Sequence, residues 1–400
     1  MSNLLIVVVA ARISEWITKG ETPYSYLNPG GKFSRIAIIS LCPDEPEAEE
    51  IKKLCGNAYA EFYTTNLMTF QGMLTTLFIP QLIKKYINKQ LNLSFHDVKS
   101  VSVRAYGDTF AGTVAAIIGK QYGYRSVASI HTCHLTAPKT EAISIKHRLI
   151  RFFEYFLRRY THKNIDFLAP VYSPAVDTIP IKYRKKTVLI PNSVGVRGCD
   201  TKRSYVRKSS FRLITVGRLI DGKSIFPILN AIKNCENLHL TVVGDGPNRF
   251  QVEQWIEKHN MSQRVTLIPR MQNIMLIEQL KNFDAFIAFT LFAEVPKTVI
   301  EAGLVGLPIV LNEPRQGRPV EYKDASIVWC SGTPQSFRST LIELASDEQK
   351  SALYGQRTKD AFKRIFDPAT CNEKIYHLLT NEMEKTKTAI PDIKRPRQDE

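Results

Sequence analysis

Three short stretches carry residues whose types and spacing suit the chemistry of phosphates and sugars. In VGRLIDGKS, residues 216–224, Arg218 and Lys223 share one turn that leads from an apolar run toward a helix expected near Ser224. A helix amino terminus offers unpaired backbone N–H groups and a partial positive charge, so two cations beside one make a site for a diphosphate. The spacing from Gly217 to Lys223 does not fit a Walker loop. Surface charges on a turn are the alternative reading of either residue alone. In FAEVPKTVIEAGLVGLPIV, residues 292–310, Pro296 sets the first turn of a helix with Lys297 to Leu304 as its body. The amides near Thr298 and Val299 then point toward the edge that holds Arg218 and Lys223. Glu301, one turn further in, is placed to accept hydrogen bonds from a pair of sugar hydroxyls. A buried carboxylate needs such a donor, and Glu294 raises the same question. In SIHTCH, His131 ends an apolar run, where it can hydrogen-bond a sugar or assist a leaving group, or serve as a satisfied structural histidine. His131, Cys133 and His134 lack further ligands at a recognisable spacing, so no metal site is expected.

Those positions require a particular order of elements. LLIVVVAA (4–11), RIAIIS (35–40), VSVRAY (101–106), RSVASIH (125–131), DFLAPVYS (166–173) and TVLIPN (187–192) read as strands in the first half. A small-residue helix between the third and fourth ends at Gly123. The second half repeats the alternation with FRLITVG (211–217), LHLTVVG (238–244), RVTLIP (264–269), DAFIAFT (284–290), LPIVLN (307–312) and ASIVWC (325–330). VVGDGPNRF puts Gly244, Asp245, Gly246 and Pro247 in a sharp turn before a helix, which is weak evidence for a site by itself. Strands alternating with helices predict an α/β fold of two doubly wound domains. Such sheets take ligands beyond the carboxyl ends of their strands, where all three stretches fall. The expected organisation is a domain over 1–200, a charged linker from Gly198 to Ser210, a domain over 208–370, a returning helix over 371–384 and a disordered tail over 385–400.

Composition agrees with this plan and removes several classes. Four hundred residues with 44% hydrophobic content exceed what one core usually serves. The apolar runs are strand-length, short of the roughly 20 residues a membrane span needs. Leu4 to Ala11 lacks the basic lead and cleavage site of a secretory leader, so a cytoplasmic protein is expected. Seven cysteines, scattered and never spaced C-x-x-C, argue against a disulfide framework or zinc ribbon.

The net charge of +16 is unevenly spread. Ten Lys or Arg face Asp200 alone between Lys182 and Arg212. In IKHRLIRFFEYFLRRYTHK, residues 145–163, six Lys or Arg face only Glu154, and Leu149, Phe152, Phe153, Phe156, Leu157 and Tyr160 share one broad side at helical spacing. A basic amphipathic helix of this kind can lie in an anionic membrane interface, or pack on a core with a solvated basic back. No nucleic-acid module accompanies the charge, so nucleic acid is not the expected partner.

Taken in order, VGRLIDGKS, VVGDGP, DAFIAFT and PKTVIEAGLVGLPIV, with SIHTCH and VLIPNSV before them, resemble the family 4 (group 1) retaining glycosyltransferases of the GT-B fold. The resemblance is strong from about Arg212 to Val310 and looser over 1–200. It implies two Rossmann-like domains facing across a cleft, the second holding a nucleotide-sugar donor and the first a glycan or glycolipid acceptor. By resemblance, Arg218 and Lys223 grip the donor diphosphate, Glu301 holds the ribose hydroxyls, the amides near Thr298 and Val299 meet the phosphates, and His131 approaches the transferred sugar as the catalytic histidine. The implied reaction is metal-independent, needs no cofactor beyond the donor substrate, and retains anomeric configuration through an oxocarbenium-like transition state. The family pattern E-x7-E places its first glutamate, a donor-sugar contact, at Ala293, and Glu294 stands where glycine is usual. The spacings to Asp284 and Glu301 are kept, which indicates substitution rather than a slip. A degenerate relative that binds nucleotide-sugar or a partner without catalysis is the second expectation.

Overall fold

A parallel sheet carries its hydrogen bonds in plane and must hide both faces, so its strands read as continuous apolar runs covered by helices on either side. The computed structural model describes residues 2–19, 22–77, 79–91, 98–131, 145–192, 194, 201–202, 204–206 and 210–380. The first domain runs β1 (Ser2–Val9), α1 (Ile13–Lys19), β2 (Arg35–Ser40), α2 (Ala48–Cys55), β3 (Tyr59–Thr64), α3 (Phe70–Thr76), α4 (Pro80–Gln90), β4 (Val98–Tyr106), α5 (Phe110–Tyr122), β5 (Arg125–Ile130), α6 (Ile145–Asn164), β6 (Phe167–Pro170) and α7 (Ser173–Asp177). The second runs β7 (Phe211–Val216), α8 (Phe226–Ile232), β8 (Leu238–Val243), α9 (Arg249–Lys258), β9 (Val265–Ile268), α10 (Asn273–Leu280), β10 (Ala285–Ala288), α11 (Lys297–Val305), β11 (Ile309–Asn312), β12 (Val328–Cys330), α12 (Pro334–Ser346) and α13 (Glu348–Ile365), followed by α14 (Pro368–Thr380).

Each domain holds one six-stranded sheet, ordered β3-β2-β1-β4-β5-β6 and β12-β11-β10-β7-β8-β9, with the paired strands parallel. This is the doubly wound GT-B architecture expected from the sequence. The central strand β1 shows why: Leu4 to Val9 are all at 0% exposure, because side chains on both faces are covered. Strand order reverses at β1/β4 in one sheet and at β7/β10 in the other, which opens a crevice at the carboxyl edge of each.

Several local expectations are corrected. Residues 187–192 form no strand, though they run beside β6, with a bridge from Thr187 to Leu168 and the Val188 and Ile190 N–H groups donating to the Leu168 (2.9 Å) and Pro170 (3.0 Å) carbonyls. The edge strand β3 was not expected, since its residues are half-exposed and show neither a continuous apolar run nor clean alternation. The described part of the linker packs on the second domain, where Lys202 N–H donates to the Val305 carbonyl at 2.8 Å and Tyr205 Oη to the Gly306 carbonyl at 2.6 Å. The supposed single apolar side of α6 is split, with Leu157 buried while Phe152 and Phe156 are exposed. The returning helix α14 begins at Pro368, and the first domain caps its end, Ser102 Oγ donating to the Leu379 carbonyl (2.8 Å) and Arg125 Nε to that of Leu378 (2.6 Å). The tail after residue 380, together with Cys133, His134 and Cys199, lies outside the described residues. The remaining cysteines are free. No described helix is long and apolar enough to cross a membrane.

The site-bearing helix α11 is fixed from behind by α13, and Gly303 is where they meet. A Cβ at Gly303 would stand 2.4 Å from a ring carbon of Phe362, which is itself fully buried against Phe366 and Tyr322. Gly303→Ala is expected to lower unfolding stability by about 1–3 kcal/mol, as overpacking does. A denaturation midpoint equal to wild type would show that the two helices are not held this closely.

Candidate active site

A cavity of about 730 Å³ lies between the carboxyl edges of the two sheets, with Tyr106, Gly107 and His131 on one wall and Val216 to Arg218, Thr290 and Asn312 on the other. His131, Arg218, Lys223, Glu294, Thr298, Val299 and Glu301 all line it. Residues read from stretches up to 170 positions apart are therefore brought to one space.

The second-domain wall is built by two loops pressed together. After β7 the chain passes Gly217 and the exposed Arg218, then makes a tight turn over Asp221–Lys223, so α8 starts at Phe226 rather than at Ser224. The Gly244-Asp245-Gly246 turn buttresses this loop. Leu219 N–H donates to the Asp245 carbonyl at 3.0 Å, and a Cβ on Gly244 would stand 1.9 Å from the Gly217 carbonyl. Glycine is needed there because backbone meets backbone. On the other side, Leu291 N–H donates to the Gly222 carbonyl at 2.8 Å, tying the loop before α11 to the Lys223 turn.

That tie decides the fate of the two carboxylates. Ala293 is buried, and Glu294 reaches Lys223 Nζ at 2.6 Å. Glu301 is buried on α11, where Asn273 Nδ2 at the start of α10 donates to its Oε1 at 2.9 Å. Nothing in the sequence marked Asn273 as its partner. The amides at the start of α11 differ from expectation. Val299 N–H donates to the Pro296 carbonyl at 3.1 Å, leaving Lys297 and Thr298 as the first-turn amides with no earlier carbonyl of their helix to reach. Thr298 Oγ1 lies 3.4 Å from the Val216 carbonyl.

Across the cavity, His131 stacks on Tyr106 (centroids 5.4 Å apart, planes at 15°), and its carbonyl accepts from Tyr172 Oη at 3.1 Å. Its Nε2 is buried and has no hydrogen-bond partner among the described residues. Burial, and then the charges of Arg104 and Lys297, push its pKa down from 6.5 to about 3, so the ring is neutral in ordinary buffers. Lys297 was not singled out in the sequence, yet its ammonium extends from α11 to 5.6 Å from the ring of Tyr26 in the first domain. Tyr26 in turn meets Trp16 and Tyr106, giving that wall an aromatic surface. The domains are also pinned beside the cavity: the buried Glu321 carboxylate accepts from Ser173 N–H at 2.6 Å and Ser173 Oγ at 2.7 Å. Asp108, at the cavity rim, accepts from His162 Nε2 (2.8 Å) and Arg158 (3.2 Å) of α6.

Residues 200–361 match the family model described as glycosyl transferases group 1. An uncharacterized glycosyltransferase of Methanocaldococcus jannaschii is 25% identical over 146 residues, covering 34% of this chain and 36% of that protein, so the match spans about a third of the curated relative. Anabaena HepE in complex with UDP and glucose superposes with a TM-score of 0.67 at 15% identity, covering 95% of this chain and 99% of HepE. Sucrose-phosphate synthase from Thermosynechococcus elongatus superposes with a TM-score of 0.66 at 12% identity, over 94% and 98% of the two chains. At these identities the likeness to both structures is one of fold.

The His131 environment has a consequence for stability. Between pH 6.5 and about 3 the unfolded chain binds a proton at this position that the native chain does not. Stability contributed by the neutral ring is therefore fully present above 6.5 and is lost as pH falls through that window. His131→Asn should flatten the dependence by up to one proton, about 1.4 kcal/mol per pH unit. Denaturation midpoints measured from pH 4 to 7 would check this; parallel pH curves for the two proteins would contradict a neutral His131 in the native chain.

Proposed function

We propose, from the premise that residues 200–361 form a domain of the glycosyl transferases group 1 family, that the protein moves a sugar from a nucleotide-sugar donor to a glycan or lipid-linked acceptor. The observation that carries this reading is the convergence of Arg218, Lys223 and the amino terminus of α11 on one wall of a cavity whose opposite wall presents His131 and an aromatic surface. Cations and free amides suit a diphosphate, and aromatic rings suit the apolar faces of sugars. The UDP and glucose bound to HepE make UDP-sugars the first donors to test. With such a donor the reaction belongs in the cytosol.

In this reading Arg218, Lys223 and the Lys297 and Thr298 amides hold the diphosphate and stabilise the charge that grows on it as the bond from the anomeric carbon to phosphate oxygen breaks. The acceptor hydroxyl forms its bond to the anomeric carbon on the same face, and its proton passes to the departing phosphate oxygen, which retains configuration. These cations supply the leaving-group stabilisation for which a metal would otherwise be used. His131, neutral and with Nε2 facing no protein partner, is suited to a sugar hydroxyl rather than to proton transfer at neutral pH. Glu301, oriented by Asn273, is suited to the ribose hydroxyls. Contact across Ser173 and Glu321 closes the domains over the donor and excludes water, favouring transfer over hydrolysis.

Ala293 favours a second reading, in which donor binds without turnover. Glu294 is the residue that opposes it, because its carboxylate lies beside Lys223, next to the position proposed for the donor. Incubation with UDP-, GDP- and ADP-sugars should release nucleotide, and Lys223→Ala should cut that release by about 10²–10³-fold. Donor that binds without any release would sink the enzyme reading. Glu294→Ala is expected to keep donor binding and lower turnover. The double change Ala293→Glu with Glu294→Gly should lower it too, since this loop is built around the Lys223 pair. A rise in turnover for the double variant would show that Glu294 is no substitute for the missing glutamate.

A further inference from the structure

The outward stripe of α6 is chemically unlike the exterior of an ordinary surface helix. Leu157, Thr161 and His162 are buried against the domain, and Asp108 holds Arg158 and His162 from the cavity rim. On the opposite side Phe152, Tyr155, Phe156, Arg159 and Lys163 follow one another at i, i+3, i+4, i+7 and i+11, the spacing of a single face. That face is usually polar. Here its first half is three aromatic side chains exposed by 57%, 55% and 49%. Phe156 stands 4.8 Å from Phe152 and 5.5 Å from Tyr155 by ring centroids, and Phe152 also meets the half-buried Phe153 at 5.7 Å, so the rings form one continuous apolar patch.

Basic residues adjoin the patch, with Arg159 and Lys163 continuing the stripe. At its far end the turn Ile181–Lys186 joins it, Lys186 Nζ donating to the Ile165 carbonyl, and contributes Lys182, Arg184, Lys185 and an Ile181 exposed by 81%. The patch also has a defined place relative to the cavity. Thr113, in the first turn of α5, donates to the Leu157 carbonyl at 3.2 Å, so Leu157 marks where α5 begins. Both helices follow parallel strands and start at the carboxyl edge of the sheet. Residues 145–156 therefore extend about 18 Å past the start of α5, on the cavity side of the domain.

We infer that this face docks the protein onto an anionic lipid surface, with the three rings among the headgroups, the cations against them, and the cavity rim turned toward the membrane. Rings flanked by cations suit such a boundary. A second copy seated by a two-fold axis would set this basic face against itself, which opposes self-association. The inference gives a lipid-borne acceptor a route to the cavity, but its readout is lipid binding, so it stands or falls separately from the sugar chemistry.

The test is vesicle flotation of the full chain with phosphatidylcholine alone and with phosphatidylcholine containing phosphatidylglycerol. Recovery is expected only with the anionic vesicles, falling as salt rises. Phe152→Ser/Phe156→Ser should lower recovery on the order of tenfold, and Arg159→Glu/Lys163→Glu should abolish its dependence on lipid charge. Both pairs are exposed, and unchanged circular dichroism and thermal unfolding would confirm that the variants fold. Equal recovery on neutral and anionic vesicles, no recovery on either, or variants that float like wild type would overturn the inference. So would a wild-type dimer in light scattering that the aromatic variant dissociates, or RNA binding that both variants lose while vesicle recovery stays unchanged.

Discussion

Both domains are governed by the requirement that a parallel sheet bury its two faces. Helices must cover each side of β1 and its neighbours, as the complete burial of Leu4 to Val9 shows. Polar chemistry is then confined to the strand ends, and the carboxyl edge is where backbone amides and loop side chains are free to meet a ligand. Setting two such edges against each other makes one cavity from residues that no single domain could assemble. The α14 helix and the Ser173–Glu321 contact serve the same end, each tying one domain to the other or to its continuation.

Charge around the cavity is arranged in opposed pairs with an excess of cation. Glu294 answers Lys223, while Arg218 and Lys297 stand without a carboxylate at ion-pair distance among the described residues. A lysine in the first turn of a helix works against the helix dipole. It is tolerable at Lys297 because the side chain leaves its own helix for the face of Tyr26, and it becomes favourable once an anion occupies the amides beside it. The same cation helps keep His131 neutral. Binding of an anionic donor would therefore relieve repulsion in the second domain and weaken the field on the histidine of the first.

The fold was legible because both domains write long β-branched runs and regular helices, and because a strand buried on two faces cannot be mistaken for an alternating one. What the sequence concealed is of a different kind. Strand β3 is half-exposed and mixed, and residues 187–192 bond to β6 through Val188 and Ile190 N–H yet form no strand of their own, so local composition misled in both directions. The positions of Arg218, Lys223 and Glu301 were readable from spacing to a helix start. The residues that act on them from a distance were not: Asn273, which orients Glu301, and Lys297, which meets Tyr26 of the first domain, work through contacts between elements distant in sequence, which no local pattern records.

The pairing of Lys223 with Glu294 bears on where a carboxylate can stand in this loop. The resemblance puts one at residue 293 and the chain carries it at 294, and in an extended loop a one-residue step would send its side chain to the opposite side. The loop before α11 is not free to follow its own path, because Leu291 is bonded to Gly222 in the Lys223 turn. With that bond in place, residue 293 is buried at the cavity wall, while residue 294 is the position whose carboxylate meets the lysine. One backbone contact thus sets the path that brings the Glu294 carboxylate, and not a side chain at residue 293, to Lys223.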